Sequence, residues 1–158
     1  STVWVGTAGG ELHRFRRGAD GMHAFTGTRI FPGNIGDLKL LEDGSLMIAG
    51  GLGLVARLFP DGHVQHFDAH TWNVRSVDAT FLDGERVIAT GDNEGWIQLW
   101  RDDGTPLRRI PAHQGIVHTL HFSADGSRLL SASADGTARV WIVREADLLE
   151  LAKRRAGG

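Results

Sequence analysis

A chain of 158 residues carries 17 Lys and Arg against 19 Asp and Glu, a formal charge of −2, and so lacks the basic excess with which proteins displace counterions from a phosphate backbone. It holds no cysteine, which excludes a disulfide framework and a thiolate metal site and fits a reducing compartment, so a cytoplasmic location is expected. No apolar run approaches the roughly 20 residues of a membrane span and no charged-then-apolar leader opens the chain, which sets aside both nucleic acid and membrane as partners.

The chain opens on STVWVGTA, ELHRFRR and MHAFTG, short runs rich in β-branched and aromatic residues that read as strands. Next come GDLKLL, SLMIAGG, LVARLF and HVQHFD, then VRSVDATF, RVIATG, WIQLW and PLRRI, and finally VHTLHF, RLLSAS and TARVWIV. Aligned on one another these give units of three, four, four and three strands, the opening unit lacking its first strand and the closing unit its fourth. Where that fourth strand would fall, the chain reads READLLELAKRRAGG. Leu148, Leu149, Leu151 and Ala152 share a helical face there, with Asp147 near the start, Lys153, Arg154 and Arg155 near the end and Gly157 as a stop, so a short amphipathic helix is expected over the tail, residues 144–158.

Asp-Gly pairs punctuate these runs at a fixed period. Asp43-Gly44, Asp83-Gly84 and Asp125-Gly126 step by 40 and 42 residues, and Asp20-Gly21, Asp61-Gly62 and Asp103-Gly104 by 41 and 42. The strand-ending aromatics Phe15, Phe59, Trp100 and Trp141 step by 44, 41 and 41. Asp-Gly predicts type I′ hairpins, in which both central residues take positive φ. Four strands per unit of roughly 40 to 45 residues is the pattern of a propeller blade.

At these residues the chain resembles the WD-repeat β-propeller family. Repeat four matches best, with His113, Ser133, Asp135 and Trp141 at the family's His, hydroxyl, Asp and Trp. Repeat three keeps His70 and Trp100 but has Asp92 and Glu94 at the middle positions; repeat two aligns Phe31, Gly51, Gly53 and Phe59; repeat one keeps Thr7 and Phe15. The resemblance implies an all-β, WD-type propeller segment over residues 1–143, with repeats at about 1–29, 30–68, 69–111 and 112–143. Fourteen strands make about three and a half blades, too few to close a ring, and open strand edges and sheet faces call for a protein partner, either the remaining propeller part or a second copy.

Ser133, His113 and Asp135 have the residue types of a hydrolytic triad, yet no strand-turn-helix elbow accompanies them. The resemblance assigns them, with Trp141, to a buried hydrogen-bond relay, and no catalytic role is expected. His118 and His121 lie three apart on a strand and point to opposite faces, as do His63 and His66, while His66 and His70 find no third ligand, so no metal is expected, and no cofactor either. The glycines at 9, 10, 50, 51 and 53 lack the ending of a phosphate loop and read as turns.

What remains is a binding face. The positions that most often make contacts in the resembled family correspond to Asn73, Arg75 and Asn93 in repeat three and to Ile116, His118 and Ala134 in repeat four, and Trp72 and Trp96 join them as interface residue types. The expected function is a non-catalytic interaction or sensing scaffold. A tail similar to those that follow WD-repeat arrays in bacterial signalling or defence NTPases makes a sensor part of such a protein the first alternative. A propeller fragment excised or engineered, with no biological function of its own, is the second.

Overall fold

The computed structural model describes residues 2–19, 21–29, 32–68 and 70–144. The expected tail helix and Phe31 lie outside them. Among the described residues the chain is all-β apart from one 3-10 turn at Gly51–Gly53, and no helix is long and apolar enough to cross a membrane. The strands are β1 (Thr2–Gly6), β2 (Glu11–Gly18), β3 (Gly21–Arg29), β4 (Ile35–Leu40), β5 (Leu46–Gly50), β6 (Leu54–Leu58), β7 (Val64–Asp68), β8 (Val74–Leu82), β9 (Glu85–Asp92), β10 (Trp96–Arg101), β11 (Pro106–Pro111), β12 (Val117–Phe122), β13 (Arg128–Ser133) and β14 (Ala138–Ile142). They form four sheets in the orders β1-β2-β3, β4-β5-β6-β7, β11-β10-β9-β8 and β12-β13-β14. The thin first and last units follow the strand count expected from the repeats.

Two compact units divide the chain, residues 1–77 and 78–158, with the boundary inside β8. In the first, Leu12, Leu46, Ile48 and Ala56 form a buried cluster against which Trp4, Ile35, Leu38, Leu54, Leu58 and Val64 pack. In the second, Ala89, Ile97, Leu99, Ile110, Ala112, Val117, Leu120 and Leu129 do the same, joined by Phe122, Trp141 and Val143. In each case one sheet lays an apolar face on the next, which takes both faces out of water.

The repeat is visible in the ladders. Val3 pairs with Phe15, Leu46 with Leu58, Ile88 with Trp100 and Leu129 with Trp141, always 12 residues apart and always between the second and third strands of a unit. This register identifies β1 as a second strand, so the opening unit lacks its innermost strand. It also corrects the alignment of repeat two: Leu58, not Phe59, stands at the tryptophan position, with Leu52 in place of the turn acid and Ile48 at the hydroxyl.

The Asp-Gly turns depart from expectation. Among the described Asp-Gly pairs, only at Asp83-Gly84 do both residues take positive φ, 53° and 85°, as a type I′ turn requires. At Gly44, Gly62, Gly104, Gly126 and Gly136 the glycine alone is left-handed, and its N–H bonds the carbonyl three residues back, from Leu41, Phe59, Arg101, Ser123 and Ser133. These are three-residue loops, a type I turn followed by a left-handed glycine. Asp is there for its carboxylate: Oδ1 of Asp43, Asp61, Asp103, Asp125 and Asp135 accepts the N–H two residues on, at 2.8 to 3.1 Å, the side-chain mimic of a backbone turn.

Gly53 and Gly95 are required twice over. Their φ values are 75° and 89°. The carbonyl of Gly53 accepts the N–H of His70 at 3.1 Å, and that of Gly95 accepts those of Ala112 and His113 at 3.0 and 2.9 Å. A Cβ at either glycine would collide with the carbonyl oxygen of His70 or His113, whereas at the equivalent Gly136 no described atom lies within 4 Å. Gly136→Ala should therefore cost about 1–2 kcal/mol for the left-handed backbone, and Gly95→Ala distinctly more; urea unfolding of the two variants checks this, and equal losses would mean the His113 loop yields without cost.

Candidate functional site

The most ordered polar structure in the second unit is a chain of hydrogen bonds beneath the β13–β14 hairpin. Trp141 Nε1–H donates to Ser131 Oγ at 2.9 Å, Ser131 Oγ lies 2.7 Å from His113 Nε2, and His113 Nδ1 lies 2.9 Å from Asp135 Oδ2. One assignment satisfies every atom. Ser131 Oγ–H donates a hydrogen bond to Nε2, and His113 donates Nδ1–H to the carboxylate. Asp135 also accepts the backbone N–H of Gln114 at 3.1 Å and of Thr137 at 2.9 Å, and the Thr137 hydroxyl at 2.7 Å. The relay thus joins the third strand, the second strand, the incoming loop and the hairpin tip.

Its hydroxyl is Ser131 and not the Ser133 that spacing within the sequence suggests. Both serines lie on the same face of β13, two residues apart, but only Ser131 lies beneath both Trp141 and His113. Ser133 shapes the hairpin instead, donating to the Gly115 carbonyl and accepting the Asp135 N–H, each at 3.1 Å. Repeat three shifts in the same way. Trp100 Nε1–H donates to Thr90 Oγ1 at 2.9 Å, while Asp92, read as the hydroxyl's replacement, caps the turn by accepting the N–H groups of Glu94 and Trp96 at 3.0 and 2.9 Å. His70 belongs to the first unit, where its N–H bonds Gly53. Ser131 is fully buried, so this set of triad-like residue types ties strands together and does not hold out a nucleophile.

The Thr137 hydroxyl, ahead of the backbone N–H groups and His113, holds the Asp135 carboxyl well below the usual carboxylate range. At the neighbouring turn the Ser123 and Ser127 hydroxyls lower Asp125 to about 2.

Two carboxylates absent from the sequence reading bind strand to strand. Asp37 accepts the N–H of Leu38 at 2.8 Å and of Val77 at 3.0 Å, and Asp78, which is buried, accepts the N–H of Phe122 at 2.8 Å. They stand 41 residues apart on the innermost strands β4 and β8, and one more such step reaches Thr119. That spacing was the available signal.

The candidate contact residues fall into two groups. In the first unit Trp72 is exposed, Arg75 is half-buried, and Asn73 accepts the N–H of Leu52 on its Oδ1 at 2.9 Å. Leu52 holds φ at 57° and points a large apolar side chain into water. In the second unit Ala134 is exposed at the hairpin tip and its N–H bonds the Ile116 carbonyl at 3.0 Å, with Ile116 half-buried, His118 exposed on β12 and Asn93 half-buried in the β9–β10 turn. Trp96 is half-buried, with the Arg109 guanidinium 4.4 Å above its ring.

Antiparallel sheets recurring at one period, with a Trp–hydroxyl–His–Asp relay under a hairpin, define a propeller-repeat protein. The family model described as WD domain, G-beta repeat matches residues 61–101 and 104–141, together half of the chain, and the chain belongs to that family. It is similar to periodic tryptophan protein 2 of Arabidopsis thaliana, 37% identical over 73 residues that make 46% of this chain and 8% of that protein. It also resembles the F-box-like/WD repeat-containing protein TBL1X of Mus musculus, 31% identical over 40% of this chain and 13% of that protein, and the ribosome biogenesis protein YTM1 of Saccharomyces cerevisiae, 26% identical over 63% and 21%. The chain thus spans between 8% and 21% of the length of these relatives. Among solved structures the computationally designed Ika8 protein superposes with a TM-score of 0.72 at 19% identity, covering 90% of this chain and 43% of that one, a likeness of fold.

Ser131→Ala should destabilise the second unit by about 1–3 kcal/mol, since it leaves the Trp141 N–H and His113 Nε2 unpaired in the interior, and Ser133→Ala by less; chemical denaturation followed by tryptophan fluorescence checks the order. The pH dependence has a definite sign. The folded pKa of Asp135 is depressed, so its stabilisation is complete above the unfolded value of about 4 and fades as pH falls through the folded one. The gap between melting curves of the wild type and Asp135→Asn should narrow as pH falls from 7 to 2; parallel curves would contradict the assignment.

Proposed function

We propose that this chain is a non-catalytic protein-interaction scaffold of the cytoplasm, an array of WD-type sheets completed by a partner chain or by self-association, that binds protein through its loop residues. WD-repeat proteins generally bind other proteins, and the similar proteins named above include one called a ribosome biogenesis protein and one called F-box-like. The observation that carries the reading is the relay: its buried polar atoms spend their hydrogen bonds on holding the Asp135 hairpin and the Gln114 loop in place, which keeps Ala134 and the Ile116 to His118 segment rigid. Rigid loops bind with little ordering cost. In the first unit Asn73 plays the same part for Leu52, beside Trp72.

Trp72→Ala and His118→Ala alter exposed residues, so each should shift unfolding stability by less than about 0.5 kcal/mol while weakening partner capture. Cross-linked capture from cell extract, comparing the wild type with each variant, is the test. Proteins kept by the wild type and lost from either variant are the expected result; identical capture by all three would count against the loop residues.

A further inference from the structure

Six Asp-Gly pairs fall among the described residues, beginning at Asp43, Asp61, Asp83, Asp103, Asp125 and Asp135. At such a pair the backbone nitrogen after the Asp can attack the side-chain carboxyl, and a following glycine sets no Cβ in the way. Local sequence does not separate the six. Exposure does not either, since Asp43, Asp61, Asp83, Asp103 and Asp125 are all exposed.

Hydrogen bonding does separate them. At five of the pairs both reacting groups are held: the glycine N–H donates to the carbonyl three residues back, and the Asp carboxylate accepts the N–H two residues on. Serine or threonine hydroxyls add a further hold at Asp43, Asp125 and Asp135. At Asp83 neither hold is present. A two-residue I′ loop is closed by the residues that flank it, here Leu82 and Glu85, and the N–H of its second residue takes no part in the closure. Among the described residues the Gly84 N–H donates to no carbonyl, and no atom outside its chain neighbours lies within 4 Å of where a Cβ would stand. The Asp83 carboxylate meets the Arg144 guanidinium at 3.1 Å, a contact between side chains 68% and 35% exposed, and ion pairs so open to water restrain a carboxylate weakly.

We infer that Asp83-Gly84 is a site of spontaneous backbone modification, where aspartate isomerises to isoaspartate while the five tied pairs persist. The Gly84 nitrogen attacks Cγ of Asp83. An N–Cγ bond forms, and one carboxyl oxygen leaves as water with the Gly84 proton and a proton from solvent. Water then opens the five-membered imide. Opening at the side-chain carbonyl restores aspartate, whereas opening at the main-chain carbonyl breaks the original peptide bond and leaves the chain running through Cβ. One water is lost and one regained, so the mass is unchanged and no oxidant or cofactor enters. The product has one more methylene in the backbone of a two-residue loop. Loop length fixes the register of a hairpin, so the change loosens the join between β8 and β9.

The six pairs fall in six separate tryptic peptides, so one experiment reads them all. The full chain is kept for several weeks at neutral pH and physiological temperature, in native buffer and in guanidinium chloride, then digested and analysed by chromatography with electron-transfer fragmentation, which distinguishes isoaspartate from aspartate. In denaturant the six should convert at similar rates. In native buffer Asp83 should keep its denatured rate to within about twofold, while the other five slow by about tenfold, the effect of two hydrogen bonds of ordinary net strength at each pair. Equal slowing at all six overturns the inference, as does a native preference for any pair other than Asp83-Gly84. Asp83→Glu, whose ring would have six members, should clear isoaspartate from that peptide; isoaspartate that persists there would belong to Asp78, in the same peptide, and overturns the inference as well.

Discussion

Each sheet in this chain has an apolar face that must lie on a neighbour, and the rest of the structure is arranged to keep those faces in register. At about 25 cal/mol for each Å² removed from water, face burial is the dominant favourable term. It is also indifferent to direction, so it does not by itself decide how one sheet sits on another. The polar links supply that. Asp37 reaches the backbone of β8 and Asp78 that of β12, each across about one repeat length of sequence. The carbonyls of Gly53 and Gly95 catch the incoming loop of the following repeat. Each of these bonds is modest in net energy, but each has one geometry, and a sheet slipped by one residue would lose them all while turning its apolar residues to water.

The relay belongs to the same scheme and extends it to the surface. Its members come from the β13–β14 hairpin and from His113, some 18 to 28 residues before them, and its carboxylate ends at the base of an exposed hairpin. Where the relay is whole, in the last sheet, the hairpin tip and the loop before β12 are held from beneath. Where it is replaced by Leu58, Ile48 and Leu52, the tie becomes apolar packing below and a single Asn73 hydrogen bond above. The first unit therefore presents a strained, exposed leucine where the second presents a rigid polar turn, and the two loop faces are chemically distinct surfaces built on one pattern.

Much of this was legible from residue order. Period, strand count, the thin first and last units and the all-β class followed from Asp-Gly pairs and aromatics recurring at a fixed step, because a sheet repeat needs its turns at constant intervals. Errors arose where two positions satisfy the same local rule. Ser131 and Ser133 share one face of β13, and the sequence around them does not say which lies under His113. Leu58 ends β6 and Phe59 follows it directly, so two adjacent apolar residues compete for the tryptophan position. The turns were placed correctly, but all the described ones except Asp83-Gly84 were typed wrongly, since Asp suits a left-handed residue and an acceptor of the N–H two residues on equally well, and only the backbone angles distinguish the two.

What the sequence determined by itself is the periodic part: where strands begin and end, which faces are apolar, and the three, four, four and three strands of the four sheets among the described residues. These depend on interactions between residues close in the chain, and hydrophobic alternation and turn chemistry report them directly. Only the tertiary structure decided which hydroxyl completes the relay and that Asp37 and Asp78 bridge strands. Those depend on which atoms approach across gaps of about 18 to 44 residues, and a separation in sequence does not specify a distance in space.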